Sequence, residues 1–392
     1  SGATLGLNVG GTNEFSTANV TTLLTNLASS SSSTNGMLAG SNFAFSTTNA
    51  SGGTFTINDV IANSGGATGG SRGVVKRGTG TLVLTANNTY NGTTAINNGT
   101  LQIGNGGTTG SIANTASVTN NGSLVYNRSD VITAGYAING NGTLTKHGGG
   151  SLILTGNNGY TGATVISTGT LQIGNGSTTG SIASTASVTN NAALVYNRSD
   201  AITAGYTISG TGTLRKEGAG TLILTGNNTY NGTTTINAGS LQIGNGGTSG
   251  SIGGTASVTN NASLLYNRSD SITANYVING TGSLTQIGPG TLVLGGNNTY
   301  SGASRIRNGT VEVGQDSLSG TAGAFGNATS AIVLGTSNTG AGNARLLING
   351  AHAVGRAISV GSESNGGIGY SAVIGGSNTT GTSTFSGNIT LG

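Results

Sequence analysis

Three Arg and Asp pairs recur at a fixed spacing and are the chain's best candidates for acid–base chemistry. Each lies in the motif Tyr-Asn-Arg-Ser-Asp; the pairs are Arg128 with Asp130, Arg198 with Asp200, and Arg268 with Asp270. Glycoside cleavage needs two carboxylates about 5 to 10 Å apart. If about three strand spacings separate successive copies, these aspartates lie about 14 Å from one another. We therefore expect each pair to be a structural ion pair within its turn.

A second periodic set is a candidate for binding sugars. It comprises Tyr90, Tyr160, Tyr230 and Tyr300. Exposed tyrosine rings present an apolar face and a polar tip, which suits stacking on a sugar ring. The alternative is that each tyrosine shields a turn at the edge of the structure. The sequence favours this second interpretation and leaves the first open.

No other constellation of residues points to catalysis. The chain has nine acidic residues, no cysteine, and two isolated histidines, His147 and His352. Metal sites of the common kinds need clustered Cys, His or carboxylate ligands. We predict no metal, no cofactor and no enzymatic activity.

The basic residues do not suggest a nucleic-acid partner. The net charge is +4 over 392 residues, and the densest basic spots are Lys76 with Arg77 and Arg305 with Arg307. Neither spot is interleaved with aromatic residues, as single-stranded nucleic-acid sites are. We expect these side chains to be solvated.

The residues above are positioned by a repeat of 70 residues. A motif of the form Gly-x-Gly-Thr/Ser-Leu-Val/Ile-Leu begins at Gly78, Gly148, Gly218 and Gly288. A fixed period without insertions indicates a solenoid, in which each unit meets its neighbours in the same way.

Each repeat predicts short strands and almost no helix. Apolar alternation between Asn and Gly turn residues indicates the strands. In the first copy they are Thr81 to Thr85, Thr94 to Asn97, Thr100 to Ile103, Ser117 to Thr119, Ser123 to Tyr126, Val131 to Thr133, Tyr136 to Ile138 and Thr143 to Lys146. Only Val20 to Leu27 has helical apolar spacing. Three strands per coil predict an all-β, parallel β-helix with about three coils of roughly 23 residues per repeat.

Alternation also predicts the core, and composition predicts how it is supported. The expected inward side chains of one repeat are Leu152, Leu154, Ile166, Leu171, Ile173, Ile182, Val188, Leu194, Ile202, Ile208 and Leu214. Aliphatic burial alone is small against the cost of ordering the chain. We therefore expect added support from stacks of like side chains, such as Asn87-Asn88, Asn120-Asn121 and the threonines.

The regular repeat defines three segments. Residues 1–77 match it weakly and form divergent coils, 78–314 form the regular β-helix, and 315–392 form degenerate coils with strands predicted at Ala331 to Leu334, Arg345 to Ile348, Ala357 to Val360 and Ala372 to Ile374. Neither Thr4 to Val9 nor Asn388 to Leu391 looks like a polar cap. We therefore expect open sheet edges at both ends.

The repeat motif resembles the passenger-associated transport repeat of bacterial autotransporters. The resemblance is strongest over Gly218 to Gly244, is clear over residues 78 to 314, and carries no catalytic residue. It implies a right-handed β-helix displayed or released outside a Gram-negative-type cell. Contact with the outer membrane is then expected only through a translocating domain that these residues do not contain.

Two functions are compatible with this sequence. The first is a non-enzymatic structural protein whose copies stack head to tail through open sheet edges into a filament, since an interface that does not close generates a fibre. The second is a cell-surface adhesin that binds glycans or surface polymers through a Tyr, Asn and Thr face. The expected partners are further copies of the chain or such polymers.

Overall fold

Short parallel strands form almost the whole described chain. The structure, a computed structural model, describes residues 3–29, 37–64, 70–335, 343–361 and 371–391. It divides into two compact units, one of residues 1–175 and 179–194 and the other of residues 176–178 and 195–392. Both units are parallel β-solenoids, so the predicted fold class is confirmed.

The first unit contains one α-helix, one short 3-10 helix and three parallel sheets. The helices are α1 Thr17–Ser29 and Ser51–Gly53. The strands are β1 Thr4–Asn8, β2 Asn42–Ser46, β3 Thr54–Ile57, β4 Gly73–Arg77, β5 Thr81–Leu84, β6 Thr94–Ile96, β7 Thr100–Ile103, β8 Ser117–Asn120, β9 Ser123–Asn127, β10 Val131–Ala134, β11 Ala137–Asn139, β12 Thr143–His147, β13 Ser151–Leu154, β14 Thr164–Ile166, β15 Thr170–Ile173 and β16 Ser187–Asn190. Their orders are β1-β2-β4-β6-β8-β11, β3-β5-β7-β9-β12-β14-β16 and β10-β13-β15.

The second unit continues the same construction. After β17 Ala193–Asn197 come β18 Ile202–Ala204, β19 Thr207–Ser209, β20 Thr213–Glu217, β21 Thr221–Leu224, β22 Thr234–Ile236, β23 Ser240–Ile243, β24 Ser257–Asn260, β25 Ser263–Tyr266, β26 Ser271–Ala274, β27 Val277–Asn279, β28 Ser283–Gln286, β29 Thr291–Leu294, β30 Ser304–Ile306, β31 Gly309–Val313, β32 Ile332–Leu334, β33 Ala344–Ile348, β34 Ala353–Val354, β35 Ile358–Val360, β36 Ala372–Gly376, β37 Thr384–Phe385 and β38 Ile389–Leu391. Their orders include β20-β22-β24-β27, β18-β21-β23-β25-β28-β30-β32-β35-β38, β26-β29-β31-β33-β36 and β34-β37.

The predicted strands are confirmed. All eight strands expected in the first copy are present, each with ends within one residue of the prediction. The four expected in residues 315–392 correspond to β32, β33, β35 and β36. The alternation of threonine and leucine between glycine and asparagine turns is therefore sufficient to predict these strands.

The 70-residue period is not a whole number of coils. Leu82, Leu101, Leu124 and Leu144 are stacked in register, so three coils end at Leu144. The next copy of Leu82 is Leu152, which lies eight residues further on and belongs to another sheet, between β10 and β15.

The second unit shows the same offset. Leu222 lies in the sheet of β18 and β23, whereas its next copy, Leu292, lies in the sheet of β26 and β31. Equivalent residues of successive repeats therefore occupy different sheets within each unit. The prediction of about three coils per repeat is confirmed. The register shows that each repeat is about a third of a coil longer than three complete coils.

The predicted inward residues form the core. All eleven expected positions from Leu152 to Leu214 are buried. The strands bury every second side chain on the inside of the coil, as their two-residue period requires. The same inner row also holds polar residues, which the site section describes.

The expected stacks of like asparagines are absent from the described ladder pairs at these positions. Asn120 is in register with Ile96, and its side-chain amide donates to the carbonyl of Thr143 at 2.8 Å. Because adjacent coils are about 20 residues apart and the motif returns only after 70, an asparagine meets a different residue above and below it. Its hydrogen bonds go to the backbone of the neighbouring coil instead.

The expectation that the N-terminal end lacks a cap is wrong for the sheet that begins with β3. Helix α1 packs against β3, the edge strand, and buries Val20 and Leu24. Ser16 starts the helix, because its hydroxyl accepts the amide of Asn19 as an N-cap does. The helical spacing noted at Val20 to Leu27 thus marks a covering helix over a sheet edge.

A buried arginine fixes this helix to the solenoid. Arg72 donates from Nη2 to the carbonyl of Leu27 at 3.2 Å, in the last turn of α1. Its guanidinium lies over the ring of Phe43, 5.4 Å from the centroid. A cation at a helix C-terminus is favourable because unpaired carbonyls carry partial negative charge there.

Candidate functional site: the periodic polar groups

Each Arg and Asp pair forms a two-pronged ion pair at a turn. Arg268 donates from Nε to Asp270 Oδ1 at 2.7 Å and from Nη2 to Oδ2 at 2.6 Å. Arg128 with Asp130 and Arg198 with Asp200 have the same geometry. The arginines are buried and the aspartates are partly exposed.

The arginine also fixes the exposed loop that precedes it. Arg128 donates from Nη2 to the carbonyl of Thr108 at 2.5 Å and from Nη1 to the carbonyl of Gly110. Arg268 makes the corresponding bond to Gly250 at 2.6 Å. With a further bond from Nη1 to Asn87 Oδ1 at 3.5 Å, the guanidinium of Arg128 uses all five N–H donors between a carboxylate and the preceding coil.

The ion pair also sets the ionisation of the aspartate. Hydrogen bonding from Arg128 lowers the pKa of Asp130 below its usual value, and the same holds for Asp200 and Asp270. A carboxylate with a lowered pKa is a poor general base at neutral pH. These aspartates therefore stabilise the fold above their unfolded pKa, and this contribution is lost as the pH falls.

The four tyrosines proposed as a glycan-facing set are buried, which corrects that expectation. Tyr90, Tyr160, Tyr230 and Tyr300 are at most 1 % exposed. The hydroxyl of Tyr90 bonds to Thr94 Oγ1 at 2.7 Å, and Thr94 in turn bonds to Thr115 at 2.9 Å. Burial raises the pKa of Tyr300 to about 12. These rings pack inside the coils and cannot stack on a sugar.

A second set of tyrosines pairs inside the coils. The hydroxyls of Tyr266 and Tyr276 lie 2.6 Å apart, and Tyr126 with Tyr136 and Tyr196 with Tyr206 form the same contact. Burial raises the pKa of Tyr266 and Tyr276 above the ordinary value. Each hydroxyl satisfies its partner in a region that water does not reach.

Three lysines occupy the interior, contrary to the expectation that basic side chains are solvated. Lys76, Lys146 and Lys216 are at most 1 % exposed and occupy the same position in successive repeats. The ammonium of Lys216 donates to the carbonyls of Glu217, Gly218 and Ala238 at 2.5, 2.7 and 3.1 Å. Burial lowers the pKa of each lysine to about 8.

The fourth copy replaces this lysine with an amide. Gln286 donates to the carbonyls of Gly288 and Gly290 at 2.9 and 3.2 Å, and its side-chain oxygen is buried without a partner. This position therefore needs a hydrogen-bond donor for the carbonyl oxygens of the turn, and that donor need not be charged. The signal was present in the sequence, because Lys146 alternates with the inward Leu144.

Buried asparagines join three successive coils. Asn158 accepts the amide of Ile138 at 2.9 Å and donates to the carbonyls of Gly156 and Ser181 at 3.0 and 2.9 Å. Asn88, Asn228 and Asn298 make the corresponding contacts. These residues replace ladder hydrogen bonds where a corner has no regular strand.

No metal-binding constellation appears in the part of the chain that the structure describes. Within those ranges no three side chains from His, Asp and Glu converge. His352 has one acidic neighbour, with its Nδ1 3.4 Å from Asp316 Oδ1. No helix among the described residues is long and apolar enough to cross a membrane.

A groove at the N-terminal sheet is separate from the repeats. It has a volume of about 380 Å³ and lies on the outer surface of β1, β2 and β4, beside the loop that leads to Phe15. Its polar lining residues are Asn8, Asn13, Glu14, Ser46 and Arg77. The groove has no signature in the sequence, because its residues come from three coils and have no repeated counterpart.

The fold is a parallel β-helix, and its ion pairs, lysines and tyrosines recur at structural positions. The chain is therefore a repeat protein of the solenoid class. Four segments of the chain match the family described as Passenger-associated-transport-repeat, at residues 74–103, 144–173, 214–243 and 284–313. The chain therefore contains four copies of this repeat and resembles the passenger part of an autotransporter.

One curated relative aligns with part of the chain. The chain is 36 % identical over 176 residues to the Adhesin BmaC autotransporter of Brucella suis biovar 1 (strain 1330). The alignment covers 40 % of this chain and 5 % of that protein, so the chain spans a small part of its relative. No solved structure matches the chain.

Proposed function

We propose that the regular repeats are a non-enzymatic spacer in an autotransporter passenger, displayed on or released from the surface of a Gram-negative-type cell. The observation that carries this proposal is that the recurrent ionisable and aromatic groups are committed to the fold. The arginines hold a carboxylate and a loop, the tyrosines pair inside, and the lysines hold turn carbonyls. A catalytic or binding repeat would instead present such groups to solvent.

The offset of the repeats supports the same proposal. A periodic binding face requires equivalent side chains to align along one face. Within each unit, copies such as Leu82 and Leu152 occupy different sheets. Repetition at this period therefore extends the solenoid without building a row of identical surface groups.

Deletion of one repeat tests the spacer. Removing residues 145–214 joins Leu144 to Arg215, the residue that follows the equivalent Leu214, so every local turn and strand sequence is preserved. We expect cells displaying this variant to keep the passenger folded and exported, with any adhesion retained. A matched deletion of residues 145–179, half a repeat, breaks the register and should expose the passenger to protease. A folded full-repeat deletion that loses all adhesion would assign binding to the repeats and overturn the proposal.

Adhesion is a second candidate function, and it is supported by the flanking segments. Among the described residues, ten large apolar side chains are exposed, and eight of them lie outside residues 78–314. The examples on the N-terminal side are Leu5, Phe15, Leu38 and Val60. Exposed apolar groups of this kind mark interaction surfaces when they cluster, and the relative in Brucella suis carries the name adhesin.

Head-to-tail stacking of copies stays a prediction. Strand β38 pairs with β35, and its side chains Ile389 and Leu391 are exposed. At the sheet that begins with β3, α1 would have to move before another copy could add. Analytical ultracentrifugation and electron microscopy of the purified chain test this directly. Concentration-dependent rods support stacking, and monomers at high concentration contradict it.

A further inference from the structure

We propose that the groove beside Phe15 binds a carboxylated sugar of an acidic glycan. The inference rests on the adhesin candidate and gives it a site and a ligand class. The groove is a single, non-repeated feature of about 380 Å³, which is within the range of small-ligand sites. Its lining combines an exposed aromatic ring, two amides, a carboxylate and a guanidinium.

Two small residues line the floor of the groove; Gly6 is exposed, whereas Ala44 is only 1 % exposed. Gly6 and Ala44 are neighbours in the register of β1 and β2, and both line the groove. A side chain added at Gly6 would meet no atom within 4 Å, so the space above it is open. A sugar ring can therefore approach the sheet closely at this point.

One wall is a row of polar side chains from three consecutive coils. Asn8, Ser46 and Arg77 are in register at the ends of β1, β2 and β4. Strand spacing places the backbone of Arg77 about 10 Å from that of Asn8. Among the described residues, no hydrogen bond or ion pair involves the side chains of Asn8 or Arg77. Both remain available to a ligand.

A second wall is the loop that follows β1. Phe15 is 43 % exposed, and its backbone amide donates to the carbonyl of Asn8, which holds this part of the loop beside the end of β1. Glu14 is held by the amide of Gly11 at 3.0 Å and by Asn49 at 2.8 Å, so its position is set before a ligand arrives. Asn13 has a positive φ of 61°, which turns the loop back over the sheet.

This arrangement matches the chemistry of a uronic acid. An aromatic ring packs on the apolar face of a sugar, amides and a carboxylate bond to its hydroxyls, and a guanidinium binds a carboxylate through two parallel bonds. Arg77 lies on β4, two strands away from β1 and from the loop that carries Glu14 and Phe15. The ligand carboxylate is therefore expected at the Arg77 wall, away from the carboxylate of Glu14.

Calorimetric titration of the whole chain tests the site. The acidic probes are a hyaluronan tetrasaccharide, for a host-matrix source, and an alginate tetrasaccharide, for a microbial polysaccharide. Cellotetraose is the neutral control of equal length. We expect at least one acidic probe to bind about tenfold or more tightly than cellotetraose, with binding weakened by salt. Equal binding of all three would overturn the acidic assignment, and no binding of either acidic probe would overturn the site.

Variants locate the binding in the groove. Gly6→Leu fills the open floor and should abolish binding, whereas Gly107→Leu, also at a position with no atom within 4 Å, should leave it unchanged. Arg77→Gln should weaken binding of the acidic probe about tenfold, as loss of a charged hydrogen-bond pair does. Circular dichroism confirms that each variant is folded. Binding that survives Gly6→Leu excludes this groove.

Adhesion of displaying cells separates this inference from the proposed function. If cells adhere and Gly6→Leu leaves adhesion intact, the groove is not the binding site, although the adhesin candidate stands. If no variant or wild-type cell adheres while the purified chain binds the acidic probe through the groove, the site stands and the adhesin candidate is wrong.

Discussion

The regular repeats and the N-terminal flank build the same parallel ladder with different kinds of contact. In the repeats, polar side chains bond within their own coil or to the next one, as Lys146 does with Gly148 and Thr168. In the flank, Arg72 reaches 45 residues back to Leu27. Because these contacts are formed within about one coil, each copy of the motif can form them again. A copy can therefore occupy any of the sheets.

The comparison explains why repetition and potential function are separated. Each buried polar group of the repeats finds its partners in its own coil or in an adjacent coil, so the same internal contacts recur from copy to copy. The flank uses contacts that occur once, and it carries both α1 and the groove lined by Phe15 and Arg77. A site for a particular ligand needs such a non-repeated combination of residues.

The largest expected effect tests how tightly the repeats are packed at a corner. A Cβ added at Gly150 would lie 1.9 Å from the carbonyl oxygen of Asp130, whereas one added at Gly149 meets no atom within 4 Å. We expect Gly150→Ala to lower the free energy of unfolding by about 3 kcal/mol, as overpacking against the backbone does. Gly149→Ala is the neighbouring control and should change it by less than about 0.5 kcal/mol. Urea denaturation measures both, and equal stabilities would refute the packing argument.

The next effect tests whether the flank is an independent cap. Leu24 is buried where α1 meets β3, so Leu24→Ala should cost about 2 to 3 kcal/mol, confined to the flank. Hydrogen exchange should accelerate in α1 and β3 and stay unchanged in β12 to β16. Thr22→Ala, at an exposed position of the same helix, is the control. Loss of protection throughout the repeats would show that the two regions unfold together.

A smaller effect tests the internal tyrosine pairs. Tyr266→Phe leaves the buried hydroxyl of Tyr276 without its partner, which should cost about 1 to 2 kcal/mol. The double variant Tyr266→Phe/Tyr276→Phe removes both hydroxyls and should recover part of that loss. A double-mutant cycle in urea gives the coupling energy. Additive losses would mean that the two hydroxyls do not depend on each other.

The last effect, which depends on pH, tests the charge of the internal lysines. Burial lowers the pKa of Lys76, Lys146 and Lys216 from 10.5 to about 8. Between these two pH values the unfolded chain binds more protons than the folded chain does. The contribution of the lysines to the free energy of unfolding therefore increases as the pH rises from about 8 to 10.5. Below pH 8 the lysines are charged in both states, and the cost of their burial is fully present.

A triple glutamine variant isolates that contribution. Lys76→Gln, Lys146→Gln and Lys216→Gln copy the natural Gln286 and remove the titration. The melting temperature of the wild type relative to this variant should rise across pH 8 to 10.5, and taking the difference removes the shared effect of the tyrosines. A difference that does not change with pH would contradict the lowered pKa values.

The strands could be predicted from sequence because their signals are local. Leu82 and Leu84 are two residues apart between Thr81 and Thr85, and Gly and Asn residues mark the turns on either side. The register could not be predicted in the same way. Successive coils from Leu82 have 19, 23 and 20 residues, so the offset of a third of a coil depends on how unequal turns are accommodated.

The candidate site residues were predictable as a set but not in their orientation. The period places Tyr90 and Tyr160 at equivalent positions, yet a tyrosine near a turn can face either inward or outward. Lys146 alternates with Leu144 and so occupies an inward position, but whether an inward lysine finds acceptors depends on the fold of its own turn at Gly148 and on the next coil at Thr168. The groove at Phe15 could not be predicted, because its residues come from β1, β2, β4 and a loop.

The sequence by itself determined the repeat, the parallel strands, the inward aliphatic residues and the scarcity of catalytic groups, because each depends on residue type and spacing along the chain. The tertiary structure decided the offset between copies, the burial of Tyr90 and Lys76, the capping by α1 and the groove beside Phe15. These features depend on which coil lies above which residue. That relation is set by the accumulated lengths of the turns, and no single motif contains it.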